Sequence, residues 1–304
     1  MTGTIAVLGL GEAGGALARD LAAAGAVVRG YDPAIPAIEG RVLTGAADGA
    51  GQAPSSSAAT SADPAARSTA ATHTRAEPAD PALTGVVITG SEAEAVAGAD
   101  LVLSVNSASA ALQALEAGLT GLATGAVWAD LNTASPGTKR QLATLAAEHG
   151  VPFADVAIMA PVPGRGLRVP MLATGPAAET VAGLLNPLGA AVGTMAGEAG
   201  LAAERKLLRS VFFKGMSAAV VEALAAARAA GCEDWLRKVV VGELTAADAS
   251  TVDRLVGGSY RHAGRRTAEM AAAAEMLGEL GVRADVAAAA RDQLSHLAEG
   301  STGP

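Results

Sequence analysis

The chain has 304 residues, half of them apolar but only 2 % aromatic, and its 22 basic and 30 acidic side chains leave a formal charge of −8. That length allows two domains and a sizeable core, built mainly from Ala, Val and Leu. The acidic balance, with no basic stripe interleaved with aromatics, argues against nucleic acid as a partner. A single cysteine, Cys232, excludes an intramolecular disulfide and fits a reducing cytoplasm.

Residues 4–8, TIAVL, read as a buried strand. With no basic leader and Glu12 close behind, this is not a signal peptide. The run leads through GLGEAG into a helical pattern, and VVRGYD at 27–32 reads as the next strand. Strand, glycine turn, helix and strand within about 30 residues is the size of a βαβ unit. Residues 45–84 are Ala, Ser, Thr, Pro, Gly and Asp with almost no large apolar side chain, which predicts a disordered surface insertion.

Order resumes at VVITG (86–90). A short helix leads to the strand DLVLSVN (100–106), then come a helix and the strand AVWADLN (126–132). The next helix has Ser135 as N-cap, Pro136 at its first position and Gly150 past its end. Strands FADVAIM (153–159), PMLATG (170–175) and AAVGTM (190–195) follow, with a helix at about 177–185 between the last two. The uncharged run 180–197 holds Asn186-Pro187 and four glycines and does not fit a membrane helix. The alternation predicts a doubly wound Rossmann-type α/β domain over 1–196, with a parallel sheet and helices on both faces. From Glu198 the strand signals stop. One long helix over 198–230 and further helices to about 298 predict an all-α domain over 197–304.

Gly9-x-Gly11-x-x-Gly14 follows a strand and opens a helix. Gly9 allows the tight turn, Gly11 lets backbone approach a pyrophosphate, and Gly14 lets helix and strand pack closely. The candidate cofactor residues in this βαβ stretch are Gly9, Leu10, Gly11, Glu12, Ala13, Gly14, Tyr31 and Asp32. Asp32, at the end of the second strand, suits a ribose 2′-OH and favours NAD over NADP. Arg29 and Arg41 lie near enough in sequence to keep NADP open. Glu12 must point outward, away from the diphosphate.

Only four of the basic residues are lysines: Lys139, Lys206, Lys214 and Lys238. Lysine, unlike arginine, can lose its proton when desolvated. Lys206, Ser210 and Lys214 form an i, i+4, i+8 ridge within KLLRSVFFKGM, flanked by Phe213 and Ser217. Apolar walls, with Arg205 and Arg209 near, would fit a lysine there for general base work. A lysine snorkelling along a helix surface is the plainer alternative. Cys232 reads as a helix-end filler. His73, His149, His262 and His296 lack metal-ligand spacing, so no metal is expected.

These residues resemble the β-hydroxyacid dehydrogenase superfamily, which contains 3-hydroxyisobutyrate dehydrogenase and 6-phosphogluconate dehydrogenase. IAVLGLGEAGGALARDLAAAG is similar to the family's opening cofactor motif. DLNTASP (130–136) resembles its Asp-x-Ser/Asn-Thr-x-x-Pro stretch, and GEAGLAAERKLLRS resembles the lead into its lysine helix. VAIMAPVPGRGLRVPMLATG, KLLRSVFFKGM and RHAGRRTAEM are similar to a 6-phosphogluconate dehydrogenase-like branch with a distinctive helical C-terminal domain. The resemblance implies that Lys206 exchanges a proton with a substrate hydroxyl of a small 3-hydroxy acid or sugar acid, possibly phosphorylated, while hydride passes to or from NAD or NADP. It implies substrate contacts at Thr133, at Met159, Ala160 and Pro161, and at Ser210 and Lys214, and it places Val105 and Asn106 against the nicotinamide ribose as further cofactor residues. It also implies a homodimer built by the C-terminal domain, and loss of carbon dioxide where the product is a β-keto acid.

Two departures stand out. Where the family has Asp-x-Pro-Val-Ser-Gly-Gly, this chain reads Asp155-Val-Ala-Ile-Met159-Ala160-Pro161, without the serine hydroxyl. Where the family commonly has Asn four residues after the lysine, it has Ser210. An imine reductase-like enzyme and a non-catalytic dinucleotide sensor are the rival readings, and retention of Lys206 argues against both. Arg261, His262, Arg265 and Arg266 are expected as a basic cluster on one helix, suited to a carboxylate or phosphate or to plain solvation.

Overall fold

The computed structural model describes residues 3–36 and 83–300. The chain divides into two compact units, 1–207 and 208–304.

The first unit is an eight-stranded sheet with helices on both faces. In chain order it runs β1 (Thr4–Leu8), α1 (Glu12–Ala23), β2 (Val27–Tyr31), β3 (Val86–Ile88), α2 (Glu92–Val96), β4 (Leu101–Ser104), α3 (Ala111–Leu119), β5 (Val127–Asp130) and α4 (Pro136–Glu148). It continues with β6 (Phe153–Ile158), β7 (Pro170–Thr174), α5 (Ala178–Leu185), β8 (Ala191–Thr194) and the start of α6 (Leu201–Ala229). The strand order is β3-β2-β1-β4-β5-β6-β7-β8.

Side chains alternate across each strand, and this chain uses the alternation to make two cores. Ile5, Val7, Leu101, Leu103, Val127 and Ala129 pack with Leu17, Leu21 and Val181 of α1 and α5. Ala6, Leu8, Val102, Trp128 and Phe153 pack with residues of α2, α3 and α4 on the other face. A sheet buried on both sides explains why its strands read as near-continuous apolar runs.

The expected parallel sheet is found, with one antiparallel pair. β6 and β7 pair antiparallel, Asp155 opposite Thr174 and Ile158 opposite Met171, while β7 and β8 are parallel to each other. The link between β6 and β7, residues 159–169, holds only a 3-10 turn at Gly166–Arg168. A parallel return would need a longer crossover, usually a helix. The uncharged run 180–197 is α5, a 3-10 turn and β8, as its Asn-Pro and glycines suggest. The expected insertion lies outside the described residues apart from its last two positions. There Leu83 is 3 % exposed within the core, against the disorder expected of those two positions.

The second unit holds the rest of α6 and α7 (Glu233–Thr245), α8 (Ala249–Arg261), α9 (Ala263–Glu279) and α10 (Asp285–Glu299). Asp248 and Thr251 make a reciprocal capping box that starts α8. α10 has only Ala284 at its N-cap, and Glu222 of α6 takes that task, its two carboxylate oxygens accepting from the Val286 and Ala287 N–H groups at 2.7 and 2.8 Å. α6 is long and apolar enough to cross a membrane, with a mean hydropathy of 1.4 in its best window. Glu204, Arg205, Lys206, Arg209 and Lys214 nonetheless punctuate its first half.

The basic cluster does not share one helix. α8 ends at Arg261, His262 is the junction, and Arg265 and Arg266 belong to α9. Its guanidinium groups are also engaged: Arg266 donates to Ser259 Oγ at 3.0 Å, Arg261 to the Gly257 carbonyl, and Arg265 pairs with Glu269.

Candidate active site

Strands β2, β1, β4, β5 and β6 run parallel and end at one edge of the sheet. Strand order reverses between β1 and β4, since β2 and β3 lie on one side of β1 and β4 to β8 on the other. Ligands of open α/β sheets bind in the crevice at such a point. The predicted residues of the first unit collect along this edge: 9–14 after β1, Tyr31 and Asp32 at the end of β2, Val105 and Asn106 after β4, Thr133 after β5 and 159–161 after β6.

The glycine loop is built as the motif requires. Gly9 has φ +93°, and a Cβ there would meet the Val105 carbonyl oxygen at 2.5 Å and Asn106 Oδ1 at 2.6 Å. A Cβ on Gly14 would lie 1.9 Å from the Gly9 carbonyl oxygen, while one on Gly11 would meet nothing within 4 Å. Gly11 is also the N-cap of α1 and has no side chain to cap the helix. The first turn thus presents its N–H groups and the positive end of the helix dipole to open space, which fits a pyrophosphate. Glu12 is exposed, as expected.

Asp32 has a part the sequence did not reveal. Its Oδ2 accepts from the Leu10 N–H at 2.8 Å and its Oδ1 from the Ala34 N–H at 2.9 Å, so it braces the glycine loop from β2. Each carboxylate oxygen can accept more than one hydrogen bond, which leaves capacity for a ribose hydroxyl. Arg29 is directed elsewhere: its Nη1 donates to the Ala97 carbonyl, which follows α2 at the opposite edge of the sheet. Arg41 lies outside the described residues. Burial, and then the neighbouring Glu92 and Asp32, push the Tyr31 phenol above its usual pKa, so it is a neutral hydroxyl at physiological pH. Gly9, Leu10, Gly11, Ala13, Gly14, Asp32, Val105 and Asn106 thus form a cradle that a dinucleotide fits.

Lys206 lies in the second turn of α6, half-buried, and its Nζ donates to Thr133 Oγ1 at 2.8 Å. The two residues are 73 apart in sequence, so the contact depends on the fold. Ser210 and Lys214 follow one and two turns later on the same helix, within the second unit, Ser210 half-buried and Lys214 exposed. The arginines expected to crowd the lysine have partners of their own. Arg205 pairs with Glu204, and the Arg209 guanidinium sits 4.3 Å above the Phe213 ring.

At residues 159–161 the geometry narrows the expectation of a backbone contact to substrate. The Met159 N–H donates to the Pro170 carbonyl at 2.8 Å, inside the β6–β7 pairing. Pro161 has no N–H, which leaves Ala160 as the donor.

Below this edge lies a buried polar cluster that the sequence reading missed. Lys139 of α4 is fully buried, on the same stripe as Leu142 and Ala146. Its Nζ reaches Asp130 Oδ1 at 2.6 Å and the Asp130 carbonyl at 2.7 Å. It also faces Asp155 Oδ1 at 3.0 Å, close enough for an ion pair but off the line of a hydrogen bond. Asp130 Oδ2 accepts from Asn132 Nδ2 at 2.7 Å, and Asn132 Nδ2 also reaches Ser104 Oγ at 3.0 Å. Asp155 Oδ2 accepts from the Gly200 and Ala203 N–H groups at 3.0 and 2.9 Å, which ties it to the start of α6. Two signals in the sequence pointed here: an Asp in each of two consecutive apolar strands, and a lysine on an apolar helical stripe.

The fold and glycine loop are those of an NAD-binding domain. The model of the NAD binding domain of 6-phosphogluconate dehydrogenase matches residues 4–195, and a domain of unknown function, DUF1932, matches residues 227–297. The chain belongs to the family of that NAD-binding domain. Among solved structures it is similar to a conserved hypothetical protein from Sinorhizobium meliloti 1021, with 27 % identity over 97 % of this chain and 88 % of that one, at a TM-score of 0.55. It is also similar to the conserved protein MTH1747, described as structurally similar to 3-hydroxyacid dehydrogenases, with 24 % identity over 99 % and 100 % of the two chains, at a TM-score of 0.54. An imine reductase from Myxococcus stipitatus, solved with NADP+, shares the fold at a TM-score of 0.71, with 20 % identity over 99 % of this chain and 96 % of that one. No match is found among curated proteins.

Proposed function

We propose that this chain is an NAD(P)-dependent oxidoreductase that moves hydride between a nicotinamide and a small 3-hydroxy acid or sugar acid, with Lys206 as general acid/base. The observation that carries the reading is the Lys206 Nζ to Thr133 Oγ1 contact of 2.8 Å beside the dinucleotide cradle. A lysine in reach of a hydroxyl at that edge can share a substrate oxygen with it. Gly9–Gly14 would hold the pyrophosphate, Asp32 the adenosine ribose, and Val105 and Asn106 the nicotinamide ribose. The nicotinamide, when bound, supplies a hydride acceptor or donor. In oxidation, neutral Lys206 takes the proton of the substrate hydroxyl as the hydride leaves the adjoining carbon. In reduction, the Lys206 ammonium returns a proton to the carbonyl oxygen. Thr133 fixes that oxygen, and the Ala160 N–H meets the substrate carboxylate.

NAD is the preferred dinucleotide, because Asp32 repels a 2′-phosphate and Arg29 is committed to Ala97. The second unit mediates a homodimer: Val211, Phe212, Val221, Trp235 and Val252 are each at least 60 % exposed, which is unusual for large apolar side chains. The lone cysteine suits the cytoplasm.

The test follows nicotinamide absorbance with NAD and NADP separately against 3-hydroxy acids, sugar acids and their phosphates, with cyclic imines as the comparison arm. Turnover of a hydroxy acid supports the reading. Reduction of imines alone transfers the chain to imine reductase chemistry. Dinucleotide binding without any turnover leaves a sensor.

A further inference from the structure

Lys139 touches neither the dinucleotide cradle nor the candidate substrate edge, yet it is the largest fully buried charged side chain among the described residues. Its surroundings explain why a cation belongs there. Asp130 and Asp155 are direct partners in the β5–β6 register and point to the same face of the sheet. Like charges directly opposite each other repel, and burial sharpens the repulsion. Lys139 sits between them, 2.6 Å from one carboxylate and 3.0 Å from the other. The cluster still carries one net negative charge. That charge is directed at the N-terminus of α6, where Asp155 accepts two backbone N–H groups.

Each carboxylate fixes one side of the proton-transfer contact. Asp130 holds Asn132, and the next residue is Thr133. Asp155 holds Gly200 and Ala203, and Lys206 lies three residues beyond Ala203. Lys139 is the group that joins the two carboxylates. We propose that Lys139 is a positioning residue: by bridging Asp130 and Asp155 it sets the first turn of α6 against the Thr133 loop and so fixes where the Lys206 amine lies. The inference rests on Lys206 as the acid/base group.

The scarcity of lysine makes this measurable without a substrate. Reductive methylation with 13C-formaldehyde labels accessible amines, among the described lysines Lys206, Lys214 and Lys238, and spares buried Lys139. The Lys206 signal is assigned by its loss in Lys206→Arg. The wild type is compared with Lys139→Met and with Leu142→Ala, which empties a buried site on the same helix but leaves the ion cluster intact. Bridging requires Lys139→Met to move the Lys206 titration midpoint by about half a unit or more, with Leu142→Ala leaving it in place. Should Lys139→Met not fold, Lys139→Met/Asp130→Asn removes the excess buried charge and carries the same test, with the same shift expected. A Lys206 midpoint that moves in no folded variant, or moves as far in Leu142→Ala, reduces Lys139 to a core staple and overturns the proposal. The readout is independent of turnover. A failure of Lys206 as acid/base shows instead as a Lys206→Met variant that keeps its activity.

Discussion

Adding one methyl group to Gly11 or to Gly14 has opposite expected outcomes, although both glycines lie in the same six-residue motif. At Gly14 the new Cβ would stand 1.9 Å from the Gly9 carbonyl oxygen and 2.9 Å from its carbon, both backbone atoms that no rotamer change can remove. Reaching ordinary contact forces α1 about 1.5 Å from the turn, an overpacking that costs about 1–3 kcal/mol. For a unit of about 200 residues that lowers the melting temperature by about 2–4 °C per kcal/mol. At Gly11 the Cβ meets nothing within 4 Å, so stability changes by less than about 0.5 kcal/mol. The methyl group does stand over the first turn of α1, where the pyrophosphate should lie. Gly11→Ala is therefore expected to melt like the wild type and to bind NADH at least about tenfold more weakly, a loss of about 1.4 kcal/mol. Thermal melts in the absence of nucleotide, paired with calorimetric titration of NADH, separate the two effects. Wild-type affinity in Gly11→Ala would refute the placement of the diphosphate over this turn. An unchanged melt in Gly14→Ala would refute the close approach of helix and strand.

Asp32→Ala removes the acceptor for both the Leu10 and Ala34 N–H groups, so NADH affinity falls and the preference for NADH over NADPH, read by parallel titrations, shrinks towards one. Asp32→Asn keeps an acceptor for the loop and should lose less affinity than Asp32→Ala. Glu222→Ala uncaps α10 and is expected to cost about 1–2 kcal/mol by chemical denaturation followed by circular dichroism, with NADH affinity unchanged.

Much of the first unit was legible because its signals are local. The TIAVL run, the three glycines and Asp32 lie within one βαβ stretch, and Ser135 with Pro136 starts α4 as read, its Oγ accepting from the Thr138 N–H. The start of α6 was read three residues early because helix formers surround Gly200, whose φ of +104° ends any helix there. The reversal at β7 was hidden because alternation gives a strand its faces and not its direction. Only the shortness of the 159–169 link carried that information. The buried cluster was harder still. Lys139 looks like any lysine on an amphipathic helix until register sets Asp130 beside Asp155. The basic residues 261–266 misled because helical spacing was assumed across His262, where the helix breaks.

The central claim is that Lys206 moves the proton that accompanies hydride transfer. The most direct measurement is turnover of Lys206→Met on the best hydroxy acid from the substrate panel, with NADH affinity measured in the same preparation. Losing a positioned general acid/base lowers kcat by about 10²–10⁴, while NADH affinity is expected to stay within about twofold. Turnover retained within about tenfold, with the dinucleotide bound as tightly as in the wild type, would contradict the claim.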